Sequence, residues 1–208
     1  MGKLILTSGG YLDGQRGPEC DAIIEKYSRG KKILIADNAT LTGSNTKGIP
    51  VLVNNFAKIG NDVEVLSLNK DNLHRIFEFD VVYITGGDCT PLIELANNTD
   101  AKNVFKTYLQ SGKTVIGESA GSIIFGKDLK FYYDIKKGTK PKYDVELPTY
   151  KGFGFVDINF YPHWNKASDE TKLKVADYEQ NNNIKITGVE DNRFIVFDVK
   201  EKFEIEVM

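Results

Sequence analysis

Short apolar runs alternate with amphipathic segments along the first 126 residues. The runs at 4–7, 31–36, 63–66, 81–85 and 114–116 are rich in Val, Ile and Leu and are closed by polar residues or glycine. They predict short, fully buried strands. Between them, residues 21–27, 49–58, 69–77 and 101–109 carry helical spacing of apolar positions. Pro50 suits a first helical turn and Gly60 a C-terminal stop. Another helix opens at Thr90-Pro91, with Thr90 as N-cap and Pro91 as first helical residue. Strand and helix in alternation predict an α/β fold with a mainly parallel sheet covered on both faces.

The last third reads differently. Residues 153–161, 184–189, 194–199 and 203–207 look like strands, interrupted by one helix at about 168–181. Asp191-Asn192 suits a hairpin turn, so a mixed or antiparallel sheet edge is expected near the C-terminus. A loop holding Gly14, Gly17 and Pro18 and a polar loop at 37–48 complete the chain. No repeat, low-complexity tract or linker interrupts residues 1–208, which fit a single domain.

Composition narrows the partners. The chain has 208 residues, 41% hydrophobic and 27% charged, enough for a sizeable core in a soluble protein. A net charge of −2 offers no basic excess for nucleic acid or an anionic membrane. The first apolar run is too short for a signal peptide or a membrane span, which points to the cytoplasm. Cys20 and Cys89 lack metal-ligand spacing and make no disulfide framework.

The chemistry centres on Gly117-Glu-Ser-Ala-Gly121. This Gly-x-Ser-x-Gly follows an apolar strand and opens an apolar helix, the context a nucleophile elbow needs. A serine on so tight a turn projects its hydroxyl outward, and the helix start supplies N–H groups to a developing oxyanion. Ser119 is therefore the candidate nucleophile. It needs a base, and the base an orienting acceptor. Of the two histidines, His74 sits among polar neighbours on an expected surface helix. His163 follows an apolar strand and a proline, where α/β sheets place functional groups, and is the candidate base. Glu190 and Asp191 end the next strand-like segment, while Asp134 lies between Ser119 and His163 in sequence; spacing alone leaves the acid open. Oxyanion donors are sought at Ala120, after the serine, and at Gly86-Gly87. The glycine pair either lets backbone approach a ligand or only turns the chain into the Pro91 helix.

Three blocks in this order resemble the dipeptidase E (aspartyl dipeptidase) and cyanophycinase family of serine peptidases. They are Tyr83-Ile-Thr-Gly-Gly-Asp-Cys-Thr-Pro-Leu92, Gly117-Glu-Ser-Ala-Gly121 and Asn159-Phe-Tyr-Pro-His163, with a weaker fourth at Gly188-Val-Glu-Asp191. The resemblance implies a three-layer α/β/α sandwich related to class I glutamine amidotransferase domains, with Ser in place of their Cys. It implies a cofactor-free Ser–His–acid peptidase acting on short, acidic peptides. A monomer or homodimer is expected. Ser119 then aligns as nucleophile, His163 as base and Asp191 as acid. Asp134 matches a second position given that role, and Glu190 is adjacent. Three residues depart from the family pattern. Asp191 replaces a Glu, Asp88 an Asn, and Lys172, in Glu170-Thr171-Lys172, a substrate-binding Arg. Lys lacks the bidentate fork of Arg, and Asp88 repels an acidic side chain while attracting an α-amine. An acidic preference therefore does not follow.

Two strand ends at one sheet edge favour Asp191 as orienter, then Glu190. Asp134 ranks third, in a polar run from 132 to 144 that reads as a mobile loop and possible lid. Two alternatives share the elbow. An α/β-hydrolase esterase has the order Ser, acid, His and needs Asp134 as the acid. A non-catalytic ligand-binding domain has no use for a retained Ser, His and acid.

Overall fold

The computed structural model describes residues 1–11, 17–40, 48–200 and 205–207. Its strands are β1 (Gly2–Thr7), β2 (Lys32–Ala36), β3 (Asp62–Leu66), β4 (Val81–Ile84), β5 (Thr114–Glu118), β6 (Asn159–Pro162), β7 (Ile186–Val189), β8 (Phe194–Val199) and β9 (Ile205–Val207). Seven form one sheet in the order β3-β2-β4-β5-β1-β8-β9. The first five of these are mutually parallel; β8 runs antiparallel to β1, and β9 to β8.

The apolar runs pair side by side because both of their faces are buried. Leu4, Leu6, Leu34, Val82, Ile84 and Val115 point into one core. Ile5, Ile33, Ile35, Val81, Tyr83 and Ile116 point into the other. Helices α1 (Pro18–Ser28) and α2 (Gly48–Lys58) cover the second face through Ile24, Leu52 and Phe56. Helices α3 (Thr90–Asn98) and α4 (Ala101–Gln110) cover the first through Leu92, Ile93, Phe105 and Tyr108. The result is the expected helix–sheet–helix sandwich, with an antiparallel edge toward the C-terminus.

Several local expectations differ from the structure. The helix read at 69–77 is a 3₁₀ segment, Leu73–Glu78. The side chains of Asn69 and Asn72 accept the backbone N–H groups of Asp71 and Asn69, an alternative to helical bonding. Thr90 is the first helical residue rather than the cap, and Asp88 Oδ1 accepts its N–H at 2.9 Å. The strand read at 153–161 shrinks to β6, because the N–H groups of Phe153, Gly154 and Phe155 bond the carbonyls of Ile124, Gly126 and Phe125. Those bonds also close the helix after Ser119, α5 (Ala120–Ile123), after one turn.

The run from 132 to 144 is no simple loop. It carries the end of α6 (Lys130–Lys136) and a 3₁₀ turn, Pro141–Tyr143, anchored by the packed rings of Tyr132, Tyr133 and Tyr143. Asp191-Asn192 is a turn but not a hairpin: it links β7, in a separate two-stranded parallel sheet with β6, to β8 in the large one. Helix α7 (Asp169–Asn182) joins β6 to β7, capped by Ser168, whose Oγ accepts the Thr171 N–H. Gly14, most of the loop at 37–48 and the start of the strand read at 203–207 lie outside the described residues.

Candidate active site

The carboxyl ends of the parallel strands β1, β4 and β5 meet on one side of the sheet, and there β5 hands over to α5. Ser119 makes that turn with φ 49° and ψ −105°. Such a backbone costs about 1–3 kcal/mol and persists only where the surroundings hold it. Here the Ser119 N–H donates to the Thr7 carbonyl at 3.0 Å, and its own carbonyl accepts from Ser122 and Ile123. The Ser122 hydroxyl bonds the Thr7 and Gly117 carbonyls. Both glycines of the motif are sterically required. A Cβ on Gly117 would stand 2.3 Å from the Gly121 carbonyl oxygen, and one on Gly121 2.3 Å from that of Ile84.

A second strained residue faces the first. His163 leaves β6 with φ 136°. Its neighbour Trp164 packs on Gly188 of β7 so closely that a Cβ there would lie 2.3 Å from the ring. In the β6–β7 ladder Pro162 pairs with Val189, so the residues just beyond, His163 and the 190–191 pair, emerge together. His163 Nε2 lies 2.8 Å from Ser119 Oγ, and Nδ1 lies 2.7 Å from Asp191 Oδ1. With the Nδ1 proton held by the carboxylate, the Nε2 lone pair faces the hydroxyl.

Asp191 is itself held in place. Lys166 Nζ stands 2.6 Å from Oδ2, the Ser8 hydroxyl donates to Oδ1 at 3.3 Å, and Asn165 Oδ1 accepts the Asp191 N–H at 3.1 Å. Burial works against the charged carboxyl, but the bonds from His163 and Lys166 outweigh it and hold its pKa below the usual carboxylate value.

The other acids stand elsewhere. Glu190 is exposed. Asp134 lies on α6, not in a loop, and its carboxylate binds Lys130 Nζ at 2.8 Å and the Tyr178 hydroxyl at 3.1 Å. His74 is exposed on the 3₁₀ segment.

A cavity of about 510 Å³ opens over Ser119 and His163, with Gly86, Gly87, Glu118 and Tyr143 in its walls. Neither Asp88 nor Lys172 lines it: Asp88 bonds the start of α3, and Lys172 is exposed with Nζ 6.0 Å from the Trp164 ring. The glycine pair divides. The Gly86 N–H bonds the buried Glu118 carboxyl, which also accepts from the Tyr83 hydroxyl at 2.8 Å. Burial raises the Glu118 pKa against both of these bonds. Among the described residues neither Gly87, in the cavity wall, nor Ala120, directly after Ser119, donates a backbone–backbone hydrogen bond, which makes them candidate oxyanion donors.

No thiol competes with Ser119. Burial pushes Cys20 and Cys89 each up to about 12, where little thiolate exists. Among the described residues no group of His, Cys, Asp and Glu is arranged to hold a metal, and no helix is long and apolar enough to cross a membrane.

Periodicity and motifs in the sequence give Ser8, Asn165, Lys166 and Glu118 no role in the site. Ser8 ends a central strand and Lys166 stands three residues after His163, which are the signals available for them.

The chain matches known proteins over most of its length. Residues 4–205 match peptidase family S51. An uncharacterized peptidase of Listeria innocua is 32% identical over 101 residues, 48% of this chain and 47% of that protein. A peptidase E of Shewanella denitrificans is 22% identical over 135 residues, 65% of this chain and 54% of that protein. The chain thus spans about half the length of these relatives. A crystal structure of a candidate peptidase E from Listeria monocytogenes superposes with a TM-score of 0.74 at 21% identity, covering 100% of this chain and 98% of the other. That likeness establishes the fold.

Proposed function

The chain belongs to peptidase family S51, and on that premise we propose that it is a serine-type peptidase of short peptides, with Ser119 as nucleophile, His163 as base and Asp191 as orienter. The observation that carries the proposal is the line Ser119–His163–Asp191, closed at 2.8 and 2.7 Å on two strained backbone turns. Ser119 Oγ attacks the scissile carbonyl carbon while its proton passes to His163 Nε2. The carbonyl electrons move onto oxygen, which the Gly87 and Ala120 N–H groups receive. Collapse breaks the C–N bond, and His163 returns the proton to the departing amine. The acyl group left on Ser119 is then attacked by water, whose proton passes to His163; collapse breaks the bond to Ser119 Oγ, which takes that proton back as the acid is released. Asp191 stabilises the imidazolium in both halves, and Lys166 keeps Asp191 charged.

The cavity, about 510 Å³, suits a ligand of a few residues rather than a protein chain. The order Ser, His, Asp along the chain does not fit the α/β-hydrolase alternative, in which the acid precedes the histidine. The proposal is tested by incubating the protein with a panel of dipeptides and tripeptides and following amine release. Wild type is expected to cleave members of the panel and Ser119→Ala none. Equal turnover by the two proteins would overturn it.

A further inference from the structure

One wall of the cavity is built from the end of α6 and the segment that follows it, and it is cationic. Lys136, Lys140 and Lys142 all line the cavity that holds Ser119 and His163. Lys136 is half-buried, its Nζ 5.3 Å from the centre of the Tyr161 ring and 5.9 Å from that of Tyr132. Tyr161 stands two residues before His163, so this ammonium is tied to the strand that carries the base. Lys142 Nζ donates to the Gly87 carbonyl at 2.9 Å, next to the N–H assigned to the oxyanion. Lys142 therefore stands beside a proposed oxyanion donor, and Lys136 beside the strand that leads to His163.

Among the described residues no carboxylate pairs with any of the three. The one acid in the cavity wall, Glu118, is already bonded to Tyr83 and Gly86. Burial and the charges of Lys140 and Lys142 lower the Lys136 pKa, the sign of ammonium groups that crowd one another without a counter-ion. Lys136 and Lys142 are partly buried and Lys140 is exposed beside them; with no anion such a cluster is costly to hold together, and an arriving carboxylate relieves the repulsion.

Short peptides carry such a group at a fixed place. In a dipeptide the terminal carboxylate lies one residue, about 3.5 Å of chain, beyond the scissile nitrogen. Resting on the peptidase reading above, we propose that Lys136, Lys140 and Lys142 form a subsite for the terminal carboxylate of the leaving-group residue. The protein then selects peptides with a free C-terminus close to the bond it cuts.

The test uses three ligands: Ala-Ala, Ala-Ala-amide, and Asp-Ala-amide, whose only carboxylate lies on the acyl side. Binding is measured by calorimetry on Ser119→Ala protein and hydrolysis on wild type. Ala-Ala is expected to bind about tenfold more tightly than either amide. Adding Lys136→Gln, Lys140→Gln and Lys142→Gln to the Ser119→Ala protein is expected to bring that ratio close to one. Since Lys140 is exposed and outside the ring cluster, Lys140→Gln alone tests the same ratio without disturbing packing and is expected to lower it in part. Equal binding of Ala-Ala and Ala-Ala-amide, a ratio that survives the triple change, or Asp-Ala-amide bound as well as Ala-Ala would each overturn the subsite. The two readings separate cleanly. Cleavage without carboxylate discrimination overturns the subsite and leaves the peptidase, whereas discrimination in binding without cleavage by wild type supports the subsite and removes the peptidase.

Discussion

Asp191→Asn isolates the role of the acid, because the structure dictates how the new amide must sit. Lys166 Nζ lies 2.6 Å from Oδ2, so an amide nitrogen cannot face it, donor against donor. The asparagine therefore turns its oxygen to Lys166 and its NH₂ to His163 Nδ1. Nδ1 must then accept, the ring proton moves to Nε2, and the atom facing Ser119 Oγ at 2.8 Å can no longer take its proton. The expected loss in kcat/KM on a cleaved dipeptide is about 10³-fold or more, roughly 4 kcal/mol of transition-state stabilisation.

Stability should change less. Two charge-assisted bonds of about 1.5–3 kcal/mol each are weakened, against the relief of burying a charge, for a net cost of about 1–3 kcal/mol near pH 7. The sign with pH follows from the lowered carboxyl pKa. The ionised Asp191 contributes fully above the unfolded value of about 3.9, and that contribution is lost as the pH falls through the folded value below it. The gap in unfolding free energy between wild type and Asp191→Asn, read by urea titration, should therefore narrow in acid. Asp134→Asn and Glu190→Gln serve as controls, since one carboxylate bonds Lys130 and Tyr178 away from His163 and the other is exposed. The reasoning fails if Asp191→Asn retains activity within about threefold of wild type while either control shows the steep loss.

Two further changes test the elbow. Ser119→Ala and His163→Ala should each lose about as much kcat as the double variant, because groups that act as a unit are not additive; losses that multiply would mean separate roles. Gly121→Ala places a Cβ 2.3 Å from the Ile84 carbonyl oxygen, a clash that backbone must absorb. It should cost about 1–3 kcal/mol and lower Tm by about 2–12 °C, with a loss of activity as Ser119 shifts; an unchanged Tm would show the close approach to be unimportant.

Much of this was legible in the sequence because the signals were local. Periodicity located β1 to β5 and their helices, and Gly117-Glu-Ser-Ala-Gly121 carried its steric requirement in its own glycines. What was missed depends on distance or competition. The 3₁₀ turn at Leu73–Glu78 arises from Asn69 and Asn72 competing with the helix, which apolar spacing does not register. The order of α6 comes from tyrosines whose ring partners lie outside the polar run that suggested a loop, Tyr161 and Tyr150 among them. Ser8 and Lys166 reach Asp191 only once β1 and the turn after β6 are assembled. Gly86 looked equivalent to Gly87 until the Glu118 carboxyl engaged its N–H.

Ser119 as an activated nucleophile is tested most directly by covalent labelling. The folded protein is treated with a fluorophosphonate, and the adduct is located by mass spectrometry of its peptides. One adduct is expected, on Ser119, lost in Ser119→Ala and formed far more slowly in His163→Ala. A wild-type protein that forms no adduct, or carries it on another side chain with Ser119 unmodified, would contradict the assignment.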